Sequence, residues 1–145
     1  MTQIPPPGWS QSYVGQIPYR DLGRDRAGCD CWGLARLVYA EQLGITLPDY
    51  VSAYPSADEH AEVARLIDGE VLAEDWIPEA TPRPFDLIVF RLGRWGSHIG
   101  IAERAGLMLH MEGEDTCKIA RMADARWSRR MVSAYRHPLL QGVFE

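Results

Sequence analysis

Two kinds of side chain in this sequence stand at spacings that could do covalent chemistry. Cys29 and Cys31 are one residue apart in "AGCDCWGL" (27–34), and His98 and His110 are twelve residues apart in "GSHIGIAE" and "LMLHMEG". Cys31 falls at the first turn of a predicted helix, where unpaired backbone N–H groups and the positive end of the helix dipole favour a thiolate over a thiol. The two histidines fall on predicted strands joined by the turn "RAG", a pairing that presents both imidazoles on one face. A thiol with two imidazoles supplies a nucleophile, a base and a group to orient the base. The same residues have plainer readings: a free cysteine is a small buried hydrophobe, and either histidine can be a hydrogen-bonded core or edge residue. A third reading is zinc held by Cys29, Cys31, His98 and His110. Those ligand types suit zinc, although Cys-x-Cys is tighter than the usual spacing of structural sites. Cys29 and Cys31 are poorly placed for a relaxed disulfide, and Cys29 reads as a bystander. His60, on the polar side of a predicted helix, and His137, before Pro138, read as structural.

Positioning these groups falls to a helical first half and a β-rich second half. "IPPPG" is a stiff lead-in to "WSQSYVG", one or two helical turns ending at Gly15. From Cys31, apolar residues at Leu34, Leu37 and Val38 recur at helical spacing until Gly44 supplies a left-handed stop. Ser56 and Glu59 form a capping box for a second helix through Ala61, Ala64 and Ile67 to Gly69. "EVLAEDW" reads as a strand, and the proline-rich "IPEATPRP" separates it from five short β-prone runs: "FDLIVFR", "HIGIAE", "LMLHME", "CKIARM" and "MVSAYRH". These predict an antiparallel meander packed on the early helix, an α+β architecture in one domain over residues 1–145.

Composition narrows the partners. A net charge of -5 with 46% hydrophobic residues describes an ordinary globular chain and argues against a broad nucleic-acid surface. There is no run of 18 apolar residues, so no membrane insertion is expected, and "MTQIPPPGWSQ" lacks the pattern of a secretory leader. Synthesis in the cytoplasm is the expectation, with no disulfide framework from three cysteines and no cofactor.

The segment "GQIPYRDLGRDRAGCDCWGLARLVY" resembles the active-site segment of the NlpC-type cysteine peptidases, bacterial and phage enzymes with a rearranged papain-like fold that cut cell-wall peptides. The likeness includes Gly-x-x-Pro-Tyr at Gly15 to Tyr19 and Asp-Cys-x-Gly-Leu at Asp30 to Leu34. It extends to "DLIVFR", "SHIGIAE" and "LMLHME" at the family's separations. The resemblance implies Cys31 as nucleophile, His98 as general base and acid, and His110 as the group that holds His98. Tyr19 would donate to the oxyanion beside the Cys31 backbone N–H. Asp30, Trp32 and Ser97 would line the substrate end; Asp30 also reads as the helix N-cap, and Trp32 also as core. Two departures stand out: Trp32 follows the cysteine where the family has serine, and Phe85 replaces the glycine before Asp86. Asp-Cys-Trp-Gly-Leu resembles the motif of the phage tail-assembly branch of the family. The implied activity is hydrolysis of peptidoglycan stem peptides at the γ-D-glutamyl to diamino-acid bond, by an enzyme carried on a phage tail. The alternatives are a structural tail-tip protein with a vestigial site, partnered by other tail proteins, and an intracellular amidase or acyltransferase of the same fold.

Overall fold

The first helix begins where the sequence supplies a cap. In the computed structural model, which describes residues 5, 8–52, 60–111 and 115–141, α1 spans Cys31–Val38 and the Asp30 carboxylate accepts the Gly33 N–H at 2.8 Å. Gly33 is glycine for a steric reason: a Cβ there would stand 1.9 Å from the Gly23 carbonyl oxygen, so the helix lies directly on the preceding loop. That loop contains a small hairpin, β1 (Arg24–Asp25) with β2 (Gly28–Cys29), which the sequence did not announce. A π turn over Tyr39–Leu43 extends α1, and Gly44 at φ 67° stops it, as expected.

The second helix differs from expectation. α2 spans His60–Ala73, so "EVLAEDW" begins in helix and not in a strand. Val63, Ala64, Leu66, Ile67 and Glu70 are buried at spacings of three and four, and this packed face carries the helix past Gly69. Glu70 is held there by the Tyr50 hydroxyl at 2.6 Å and the Trp76 indole at 2.9 Å. The strand that follows is β3, Ile77–Glu79, inside the proline-rich stretch. The Ser56–Glu59 capping box lies outside the described residues.

The later strands are β4 (Leu87–Leu92), β5 (Trp95–Arg104), β6 (Leu107–Met111), β7 (Cys117–Arg121) and β8 (Met131–Arg136). They and β3 form a six-stranded antiparallel sheet in the order β3-β8-β4-β5-β6-β7. Only β4 to β7 make the expected meander. The last strand returns to the middle and separates β3 from β4. Its arrival is locked by charge: Arg136 and Asp86 are both fully buried and 2.6 Å apart. The α+β architecture is as expected, with α1 and α2 on one face over Leu87, Val89, Ile99, Ile101 and Leu109. The other face, with Ile88, Phe90, Ala102, Met108 and Ala134, is covered by Trp127 from α3 (Ala125–Ser128).

Phe85 stands where the resemblance expects a glycine. Its φ is 71°, a left-handed conformation that costs a residue with a Cβ about 1–2 kcal/mol. The ring offsets that cost: it is buried and stacks on Trp9 at 4.5 Å.

Candidate active site

Cys31 is the first residue of α1, and its sulfur lies against the backbone of β5. The register pairs Gly100 with His110, so Ser97 to Ile99 run past the last residue of β6 paired with β5 and leave their backbone open on that side. The Cys31 thiol occupies it, its Sγ donating to the Ser97 carbonyl at 3.8 Å and accepting from the Ile99 backbone, so it touches the chain on both sides of His98. Burial pushes the thiol up to about 12, with Asp30 adding to the rise, while backbone donors from Ile99 and Trp32 pull the other way. The helix N-terminus was expected to favour the thiolate; here desolvation outweighs it, and the resting sulfur is a neutral thiol.

His98 and His110 meet on the opposite face of the sheet, as their placement on paired strands requires. His98 Nε2 is 3.0 Å from His110 Nδ1, with the rings edge to face. Trp127, absent from the sequence reading, covers both: it stacks on His98 at 5.2 Å and 20° and meets His110 edge-on at 4.8 Å. Phe90 lies 6.2 Å from His98. Burial lowers His98 to about 3, with His110 and then Arg126 contributing, so His98 is a neutral imidazole at neutral pH. Arg126 is brought in by Trp127 itself, its guanidinium 4.8 Å from the indole ring. A lone tryptophan in "DARWS" carries no periodic signal, and nothing local marks it as the cover of two histidines.

The remaining candidates divide. Asp30 is the expected cap, fully buried, with Oδ1 taken by Gly33 and by Arg24 at 2.8 Å and Oδ2 by the Leu22 N–H at 3.3 Å. It holds the start of the helix and shows no surface to a substrate. Trp32 was placed among substrate contacts; it is 1% exposed, its indole donates to the Pro48 carbonyl at 2.8 Å, and it belongs to the core. Ser97 is buried too, and its hydroxyl lies 3.2 Å from His60 Nδ1. His60, read as merely structural, therefore stands one hydrogen bond from the residue that touches the sulfur. The Tyr19 backbone is bridged to Cys29, and its hydroxyl donates to Asp21. His137 caps the final turn by accepting the Leu139 N–H and is structural. The four zinc candidates do not converge: the Cys29 thiol donates to the Asp25 carbonyl at 3.2 Å, and among the described residues no cluster has the makings of a metal site.

The model of the NlpC/P60 family matches residues 15–136. The chain belongs to the NlpC/P60 family. The murein DD-endopeptidase MepS/murein LD-carboxypeptidase of Escherichia coli is 28% identical over 120 residues, 83% of this chain and 55% of that protein. This NlpC/P60 chain thus spans about half the length of the curated relatives it matches. Among solved structures, an NlpC/P60 family protein from Bacillus cereus superposes with a TM-score of 0.61 at 19% identity, covering 88% of this chain and 37% of that one. The NlpC/p60 domain of the peptidoglycan hydrolase SagA gives 0.59 at 19% identity, covering 88% and 92%. The α+β fold is accordingly the papain-like fold of the NlpC/P60 domains. Among the described residues no helix is long and apolar enough to cross a membrane.

Proposed function

We propose that the chain is a cysteine peptidase that hydrolyses an amide bond in peptidoglycan stem peptides, with Cys31 as nucleophile, His98 as general base and acid, and His110 orienting His98. The observation that carries this reading is the junction at β5. A thiol on a capped helix N-terminus touches the backbone on both sides of His98, while His98 Nε2 is tied to His110. A proton on His98 Nε2, donated to His110, leaves the Nδ1 lone pair as the base. At rest the thiol and the His98 ring stand on opposite faces of β5, so the step begins with the His98 side chain turning toward Cys31; from the neutral pair, the thiol proton then passes to His98 as sulfur attacks the amide carbonyl. The oxyanion forms at the helix N-terminus, with Tyr19 turning its hydroxyl from Asp21 to serve as a further donor. His98 then protonates the leaving amine, the C–N bond breaks, and water activated by His98 hydrolyses the thioester.

The bond proposed is the γ-D-glutamyl to diamino-acid link, and the setting a phage tail. Both rest on the Asp30-Cys31-Trp32-Gly33-Leu34 motif and its neighbours. The test is incubation with defined wall fragments offering γ-D-glutamyl, DD and LD bonds, with mass analysis of the products and Cys31→Ala as control. Cleavage of the γ-D-glutamyl bond alone is expected; cleavage that survives Cys31→Ala overturns the nucleophile. Purified phage particles should carry the chain with their tails, and its absence from them by mass spectrometry overturns the setting. The placement of the thiol and the His98 ring on opposite faces of β5 favours one second reading, a tail-assembly protein that keeps the site without using it. A parent protein that cleaves no fragment would put that reading first.

A further inference from the structure

Ser97, whose carbonyl accepts the Cys31 thiol, stands opposite no residue of either neighbouring strand. On the β4 side the register passes from Phe90 opposite His98 directly to Arg91 opposite Gly96, so Ser97 is the extra residue of a β-bulge. On the β6 side pairing starts only at Gly100. A bulged residue lacks the ladder that fixes the rest of its strand, and bulges serve to re-aim groups beside sites. The direction of the Ser97 carbonyl therefore depends on what holds its side chain. Its hydroxyl lies 3.2 Å from His60 Nδ1 and 3.5 Å from the Trp95 carbonyl. Trp95 is two residues away on the same strand, whereas His60 is the first residue of α2, a helix anchored in the core through Val63, Leu66 and Ile67. His60 thus ties the bulge to a fixed element.

The tie lies on the sulfur's side of the strand. Side chains alternate along β5, so Ser97 shares a face with Ile99 and Ile101, which pack in the core with α1, and His98 takes the other face beside Trp127. His98 has to cross the strand to reach the thiol, and that turn ends in proton transfer only if the sulfur keeps its place. We propose that His60 is a positioning residue for the cysteine: through the Ser97 hydroxyl it pins the bulge, and the pinned carbonyl holds the Cys31 sulfur where the turned His98 meets it. His60 acts through Ser97 alone and takes no proton in the reaction. This rests on the reading of Cys31 as nucleophile.

The test uses the full chain as His60→Ala, Ser97→Ala, the double variant, and His60→Asn, whose amide places a polar atom where Nδ1 stood. The readouts are kcat and KM on a defined stem peptide, and the iodoacetamide rate at each cysteine by peptide mapping. His60→Ala should lower kcat and raise the Cys31 alkylation rate, each by about threefold to tenfold, the worth of one ordinary hydrogen bond. KM should stay within about twofold of the parent, since the loss is one of positioning and not of binding. The buried Cys29 and Cys117 should remain unlabelled over the same time. The double variant should be no worse than either single one, because both remove the same bond, and His60→Asn should restore the parent values. An unchanged Cys31 rate, labelling that rises at all the cysteines together, additive losses in the double variant, or a His60→Asn as impaired as His60→Ala overturns the positioning role. A parent that cuts no peptide removes the peptidase reading instead, and the alkylation rates alone then decide whether His60 pins the sulfur.

Discussion

Trp127→Leu should change how His98 titrates, and by an amount the surroundings set. In the parent, His98 is packed between the Trp127 ring at 5.2 Å, His110 and Phe90, and burial is the largest cause of its fall from 6.5 to about 3. Leucine leaves one flat wall missing and also frees Arg126, which lies over the indole and lowers His98 further. Recovering a third of the lost interval would raise the titration by about one pH unit, ~1.4 kcal/mol, and increase the protonated fraction tenfold at a given acid pH. The assay is a pH titration of the ¹³C-labelled His98 ring by NMR, run beside the pH profile of kcat/KM. The acid limb of that profile should move upward, so the variant loses more activity at pH 5 than at pH 7. Stability should change in a related way. An unfolded chain binds a proton at this histidine near pH 6.5 and the folded parent only near 3, so the parent loses stability as pH falls through that window. The variant, with the higher folded value, should lose less there, although the void costs it about 2 kcal/mol or more at neutral pH. An unchanged His98 titration in a variant that simply melts earlier would show that Trp127 fills space and does not set the base.

Three further outcomes follow from the site. Iodoacetamide should reach Cys31 before the fully buried Cys29 and Cys117, and because the resting thiol is pushed up to about 12, the rate should climb about tenfold per pH unit between 7 and 9; a rate flat across that range would mean a preformed thiolate. Asp30→Ala removes the helix cap, worth about 1 kcal/mol, and leaves Arg24 without its carboxylate. Because Arg24 keeps the Gly23 and Asp49 carbonyls, the total loss in urea unfolding should be about 2–4 kcal/mol, below the cost of a fully orphaned charge, and Asp30→Asn should recover the cap share. Tyr19→Phe should lower turnover by about a hundredfold to a thousandfold with affinity nearly unchanged; a variant as fast as the parent would assign the oxyanion to backbone donors.

What could be read from the sequence was local. Asp30 before Cys31, and Gly44 after the last apolar position, mark the ends of a helix because capping acts over one turn. Leu87 to Leu92, Leu107 to Met111 and their neighbours are β-prone by residue type alone. The misreading at Glu70 to Ala73 has the opposite cause: Val71 and Leu72 look strand-like, but Ile67 and Glu70 extend a buried helical face whose partners, Tyr50 and Trp76, lie outside any local window. The return of β8, the Trp127 lid and the nearness of His60 to Ser97 all depend on contacts between distant segments. The helix dipole at Cys31 is visible in a sequence, whereas the burial that pushes its thiol up is not.

The place of β8 in the sheet bears on how the chain is made. Synthesis delivers β3, β4, β5, β6 and β7 from the ribosome before Met131–Arg136, yet β8 is the strand that joins β3 to β4. Until it emerges, β4 keeps one side of hydrogen-bonding groups unpaired, the three-residue β3 lacks its sheet partner, and Asp86 lacks the Arg136 guanidinium with which it shares a fully buried pair. The nascent chain therefore holds an open apolar edge from the emergence of β4 until β8 follows. Stop codons or proteolytic cuts shortly before Arg136 should send it to aggregation or degradation instead of to a shortened enzyme.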